Sequence, residues 1–77
     1  MSTLHDVHVV KNVRRGGWNV RRARRTLSHH CSQHEAITIG RRVARRMRVD
    51  LVTHARDGRI RSKDSYGNEG PARDTEH

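Results

Sequence analysis

Ser32-Gln33-His34-Glu35 has the S-x-x-E form of a capping box, in which each residue's side chain satisfies the other's amide. The residues that follow, to about Met47, fit one helical wheel. At about 100° per residue, Ala36, Ile37, Ile39, Gly40, Val43, Ala44 and Met47 fill one arc, and Arg41, Arg42, Arg45, Arg46 and Arg48 fill the opposite arc. A helix of this kind has to lie with its apolar arc on something. Gly40 within that arc costs about 1 kcal/mol relative to Ala, which makes sense where the helix runs close against a sheet. The late arginines suit the negative end of the helix dipole.

The rest of the chain supplies short extended segments for that helix to cover. In residues 4–10, Val7 and Val9 alternate with His8 and Val10. A connection through Gly16-Gly17 leads to Trp18-Asn19-Val20-Arg21, and the two segments pair as an antiparallel hairpin. Thr26 to His30 reads as a short third strand, polar enough to belong at an edge. After the helix, Val49 to His54 is a strand, Asp57-Gly58 a two-residue hairpin turn, and Arg59-Ile60-Arg61 its return with Ile60 facing in. Lys63 to Asn68 is polar and turn-rich. The expected fold is α+β: a small antiparallel sheet with one amphipathic helix packed on one face, in the order ββ(β)αββ. A single domain over 4–68 is expected, with residues 1–3 and 69–77 as disordered termini.

Several classes of protein are excluded by what the chain lacks. It has 77 residues and no Phe, and its large apolar side chains make one thin core layer. Cys31 is alone, so there is no disulfide framework. No apolar run approaches the roughly 20 residues of a membrane span, and the N-terminal residues show no secretory pattern. The lone thiol and the absent signal point to the cytoplasm. So thin a core also gains from a homodimer that covers an open face or edge.

Charge is the loudest functional feature. The net charge is +9, and fifteen of the seventeen basic residues are Arg. The last nine residues are net acidic, so the first 68 hold sixteen bases against five acids. Such a field on a small body draws polyanions, and the Arg fork binds phosphate bidentately. The alternative is that the charge serves solubility alone. On the helix, Arg41–Arg45 and Arg42–Arg46 are like-charge pairs four residues apart and are mildly destabilising; a phosphate partner would relieve them. A second basic cluster comprises Arg14, Arg15, Arg21, Arg22, Arg24 and Arg25, partly in loops. Exposed aromatics, on which single-stranded bases stack, are nearly absent, because Trp18 reads as core. The chain therefore reads as a binder of the phosphate backbone of DNA or RNA, with Arg21, Arg22, Arg24, Arg25, Arg41, Arg42, Arg45, Arg46 and Arg48 as contacts. The other reading is a protein-interaction module or small regulator, of the kind a phage carries, whose Arg surface docks on an acidic partner. A membrane partner is disfavoured, since the helix spends its apolar arc on the core.

Chemistry has less support. His29, His30, Cys31 and His34 are zinc-type ligands, but adjacent residues of an extended chain point apart, so no metal or other cofactor is expected. Cys31 beside a His, or His54 with Asp57 or Asp64, lacks the third group that orients a catalytic pair. The expectation is a protein that is not an enzyme.

His8-Val9-Val10, Gly17-Trp18-Asn19-Val20, Glu35-Ala36-Ile37, Arg56-Asp57-Gly58-Arg59-Ile60 and Asp64-Ser65-Tyr66-Gly67-Asn68 together resemble the DUF2188 family. These are small bacterial proteins of uncharacterised function. The resemblance spans about residues 7 to 68. The chain departs from the family pattern at Lys11, where Pro is frequent, and in its many Arg. The resemblance implies the fold and carries no activity.

Overall fold

The computed structural model describes residues 6–66. The expected strand start at residues 4 and 5, both termini, and Gly67-Asn68 lie outside them. The order of elements is β1 (Val7–Lys11), β2 (Trp18–Arg22), β3 (Arg25–His30), α1 (Gln33–Met47), β4 (Leu51–His54) and β5 (Ile60–Asp64). All five strands form one sheet in the order β3-β2-β1-β4-β5, and α1 packs across β1 to β4. The α+β architecture with one helix on the sheet is as the sequence implies, and β3 is indeed an edge.

One pairing corrects the antiparallel expectation. β1 and β4 run parallel, with Val7 beside Leu51 and Val9 beside Thr53, and the other three pairings are antiparallel. The cause is α1. Parallel strands need a crossover of a dozen or more residues, usually helical. α1 carries the chain from the far end of β3 back to the end at which β1 begins.

The helix starts as its cap predicts, with the Ser32 hydroxyl accepting from the Glu35 amide at 3.2 Å. The reciprocal half of the box is replaced, because the Glu35 carboxylate lies 4.0 Å from His30 Nδ1. Gln33 fastens this end to the sheet: its amide nitrogen donates to the His54 carbonyl at 3.1 Å, and its oxygen accepts from Arg61 at 2.6 Å. At the other end Arg48 takes a left-handed conformation and closes the helix.

Ala36, Gly40 and Ala44, each four residues apart, form the buried line of α1. They lie over Val7, Val9, Trp18, Val20 and Leu51, with Ile37, Ile39, Val43, Val49 and Tyr66 around them. The close approach foreseen at Gly40 is present: a Cβ there would sit 3.0 Å from Leu51 Cδ1 and 3.1 Å from Val9 Cγ2. Met47, placed in the apolar arc, is half exposed. Ile60 does not face in. It pairs with His54 after a register shift, and β5 is exposed along its whole length.

The turns also differ from the simplest reading. The β4–β5 connection is not a two-residue Asp-Gly loop. The Gly58 amide donates to the Ala55 carbonyl at 3.0 Å and the Ala55 amide to the Arg59 carbonyl at 2.7 Å, so Asp57-Gly58 forms the second half of a longer turn. Gly17 is held by more than its positive φ of 76°. A Cβ at Gly17 would meet the His30 carbonyl oxygen at 2.5 Å and the His29 ring at 2.9 Å. Gly17→Ala is therefore expected to destabilise by more than the about 1–2 kcal/mol of a left-handed alanine, because the Trp18–His30 pairing must also open. Urea unfolding measures it. Gly58→Ala serves as the comparison, since a Cβ there meets nothing within 4 Å. Equal losses in the two variants would rule out the contact.

A basic end of the sheet as the candidate nucleic-acid interface

The register fixes where each arginine stands. Arg22 at the end of β2 pairs with Val7 at the start of β1, and Val7 pairs with Leu51, which follows the helix end. The β2–β3 turn and the C-terminus of α1 thus share one end of the sheet. Two strand spacings separate Arg22 from Leu51, or about 10 Å. That is the rise of about three phosphates along one strand of a duplex. Arg24 in the turn, Arg25 at the start of β3, Arg45 and Arg46 on the helix and Arg48 at its C-cap are exposed there, and Arg41 and Arg42 continue up the outer helix face.

None of these seven arginines forms an ion pair with a described acid. Three of the described acids pair elsewhere: Asp57 with Arg59 at 3.7 Å, Asp50 with Lys63 at 3.6 Å, and Glu35 with His30 at 4.0 Å. The Arg45 guanidinium lies over the Tyr66 ring, 5.8 Å from its centre. Trp18 is buried, as expected, and Lys11 sits above its ring. Neither aromatic offers a free face of the kind that stacks on bases.

The second basic cluster of the sequence does not stay together. The loop carrying Arg14 and Arg15 is at the opposite end, tied by the Asn12 side chain, which accepts from both their amides at 3.1 and 3.0 Å. Arg21 also parts from the others. It pairs across the strands with His8, on the face of the sheet turned away from α1.

That open face holds the groups the sequence did not bring together. His8, Val10, Arg21, Arg22, Ala23, Arg24 and His54 line a hollow of about 300 Å³. His8 Nδ1 is 3.0 Å from His54 Nε2, and His54 Nδ1 is 3.2 Å from the Gly58 carbonyl oxygen. A carbonyl only accepts, so His54 carries its proton on Nδ1. Its Nε2 then accepts from His8 Nδ1–H. The turn that walls the hollow has Ala23 and Arg24 both left-handed, at φ 51° and 68°. That geometry usually takes Asn-Gly. The strand alternation does place His8 opposite Val7 and Val9, but nothing local in the chain announces its neighbour 46 residues on.

The other constellations separate. His29 Nε2 contacts the Gly16 carbonyl oxygen at 2.8 Å, His30 Nε2 the Ser28 hydroxyl at 2.8 Å, and Cys31 is exposed. Among the described residues no three His, Cys, Asp or Glu side chains converge as metal ligands would. Asp57 accepts from the Arg59 amide at 3.1 Å and belongs to its turn. No described helix is long and apolar enough to cross a membrane.

No curated protein and no solved structure matches the chain. A family of uncharacterised proteins conserved in bacteria matches residues 7–66, from the first residue of β1 to Tyr66. The span takes in every strand and the helix, and with it the chain belongs to the DUF2188 family.

Proposed function

We propose that the protein binds nucleic acid through the phosphate backbone, with the outer face of α1 and the β2–β3 turn as its contact surface. The observation that carries this is the meeting of Arg24 and Arg25 with Arg45, Arg46 and Arg48 at one end of the sheet, without described acid partners. Arg41 and Arg42 extend the surface, and Arg22 stands beside it. Guanidinium forks at several points along a strand favour phosphates over a single small ligand. The buried Trp18 favours backbone contact over base stacking. The role is binding and not catalysis, in the cytoplasm, where an exposed thiol such as Cys31 stays reduced. The two open edges, β3 and β5, leave room for a homodimer.

Fluorescence anisotropy of labelled duplex DNA, single-stranded DNA and structured RNA, each at several salt concentrations, tests the proposal. Five phosphate contacts give a slope of about −4 to −5 in log K against log salt on a duplex. Weak binding to all three that vanishes at physiological salt would overturn it. A docking site for an acidic protein would then be the better reading of the same surface.

A further inference from the structure

The hollow on the open face is chemically unlike the helix surface. Its wall carries Arg21, Arg22 and Arg24 together with His8 and His54, and no acid is among the described residues that line it. Its volume of about 300 Å³ is at the small end of ligand sites. Val10 supplies an apolar patch.

Arg21 is the telling residue. Its Nη2 donates to the Arg24 carbonyl at 3.3 Å, while its Nε is buried without a hydrogen-bond partner. A buried donor left unpaired is costly. Turning the guanidinium outward would release that donor and present the Nε and Nη edge to an oxyanion as a two-pronged fork. The His8–His54 pair, in contact at 3.0 Å, lines the same hollow and adds polar ring nitrogens beside the guanidinium groups.

We propose that this hollow binds a phosphate monoester, with Arg21 as the principal ligand and Arg22, Arg24 and the His8–His54 pair around it. A monoester is close to a dianion at neutral pH and protrudes from its parent molecule. An internal diester of a strand carries one charge and is flanked by sugars on both sides. The proposal rests on the nucleic-acid reading in one respect, that the end of a strand is one source of such a group. A free nucleotide is the other source.

The test is nuclear magnetic resonance of the full chain, following the Arg Nε–H and His ring signals. The probes are inorganic phosphate, adenosine 5′-monophosphate and adenosine, then one oligonucleotide with a 5′-phosphate or a 5′-hydroxyl. Saturable shifts at Arg21, His8 and His54 are expected with phosphate and the monophosphate and not with adenosine. A preference of the same signals for the phosphorylated oligonucleotide would name the strand end as a source, and a preference for the mononucleotide would name the free nucleotide.

Arg21→Gln should weaken phosphate at least tenfold, and Arg14→Gln, which removes equal charge at the far end, should not. If Arg21→Gln does not fold, Arg21→Lys keeps the charge and loses the fork, and should still weaken phosphate several-fold. Linear shifts spread over all arginines, or affinity unchanged in the folded Arg21 variant, would overturn the proposal. Duplex binding without a saturable phosphate site would sink the hollow alone. A phosphate site without duplex binding would sink the proposed function alone.

Discussion

Leu51→Ala is expected to leave most of the chain unfolded at 25 °C. Leu51 heads the fully buried side chains by volume, and it lies in the central parallel pair where Gly40 brings the helix closest. Removing such a side chain costs about 2–5 kcal/mol, more where the surroundings cannot collapse. Collapse is hindered here, since the facing helix line of Ala36, Gly40 and Ala44 has no long side chain to swing into the gap. The core of a domain this small supplies about 3–5 kcal/mol in all, so the loss is comparable with the whole. Circular dichroism during urea titration reads the result. A cooperative transition shifted by under about 1 kcal/mol would mean that Leu51 is not packed as described.

The second large effect concerns binding. Arg24, Arg25, Arg45 and Arg46 changed together to Gln should lower duplex affinity about 30- to 1,000-fold at low salt. The estimate takes each exposed phosphate contact as about 0.5–1 kcal/mol and a tenfold change as about 1.4 kcal/mol. The salt slope should fall in magnitude by about 3.5, at about 0.9 per phosphate. A matched variant separates position from net charge. Arg14, Arg15, Arg56 and Arg59 also number four, but they occupy the loops at the opposite end of the sheet. Changing those four to Gln should weaken binding far less. Equal losses in the two variants would show that total charge, and not the basic end, governs association.

Local chemistry made most of the fold legible in the sequence. Ser32 and Glu35 mark the helix start, the apolar arc marks its buried face, and Val7, Val9, Trp18 and Val20 mark the inward side of two strands. All of these are interactions within a few residues, and their outcome follows from nearby sequence. The β1–β4 pairing is different. No turn joins Val7 to Leu51, and the direction of β4 depends on where the helix delivers it, so alternation alone could not reveal a parallel pair. Ile60 was misplaced for a related reason. Its facing depends on the register shift in the β4–β5 pairing, which a wrong turn type hides. Of the candidate site, the helix arginines were legible from the wheel. The grouping of Arg24 and Arg25 with the helix end, the departure of Arg14 and Arg15 to the far end, and the His8–Arg21–His54 hollow all needed the topology.

The parallel pair also has a consequence for how the molecule is made. Its two partners are far apart along the chain, with β2, β3 and the helix between them. A nascent chain emerging N-terminus first can close β1 on β2 and β2 on β3 from neighbouring residues alone. Val7, Val9 and Val20 then remain uncovered until α1 arrives, and one side of β1 stays an open edge until β4 does. Contacts of such high sequence separation slow folding, and unpaired edges invite wrong partners during the wait. The early segment is crowded with like charge through Arg14, Arg15, Arg21, Arg22, Arg24 and Arg25. Mutual repulsion between identical half-made chains on one message would keep those edges apart until synthesis passes His54.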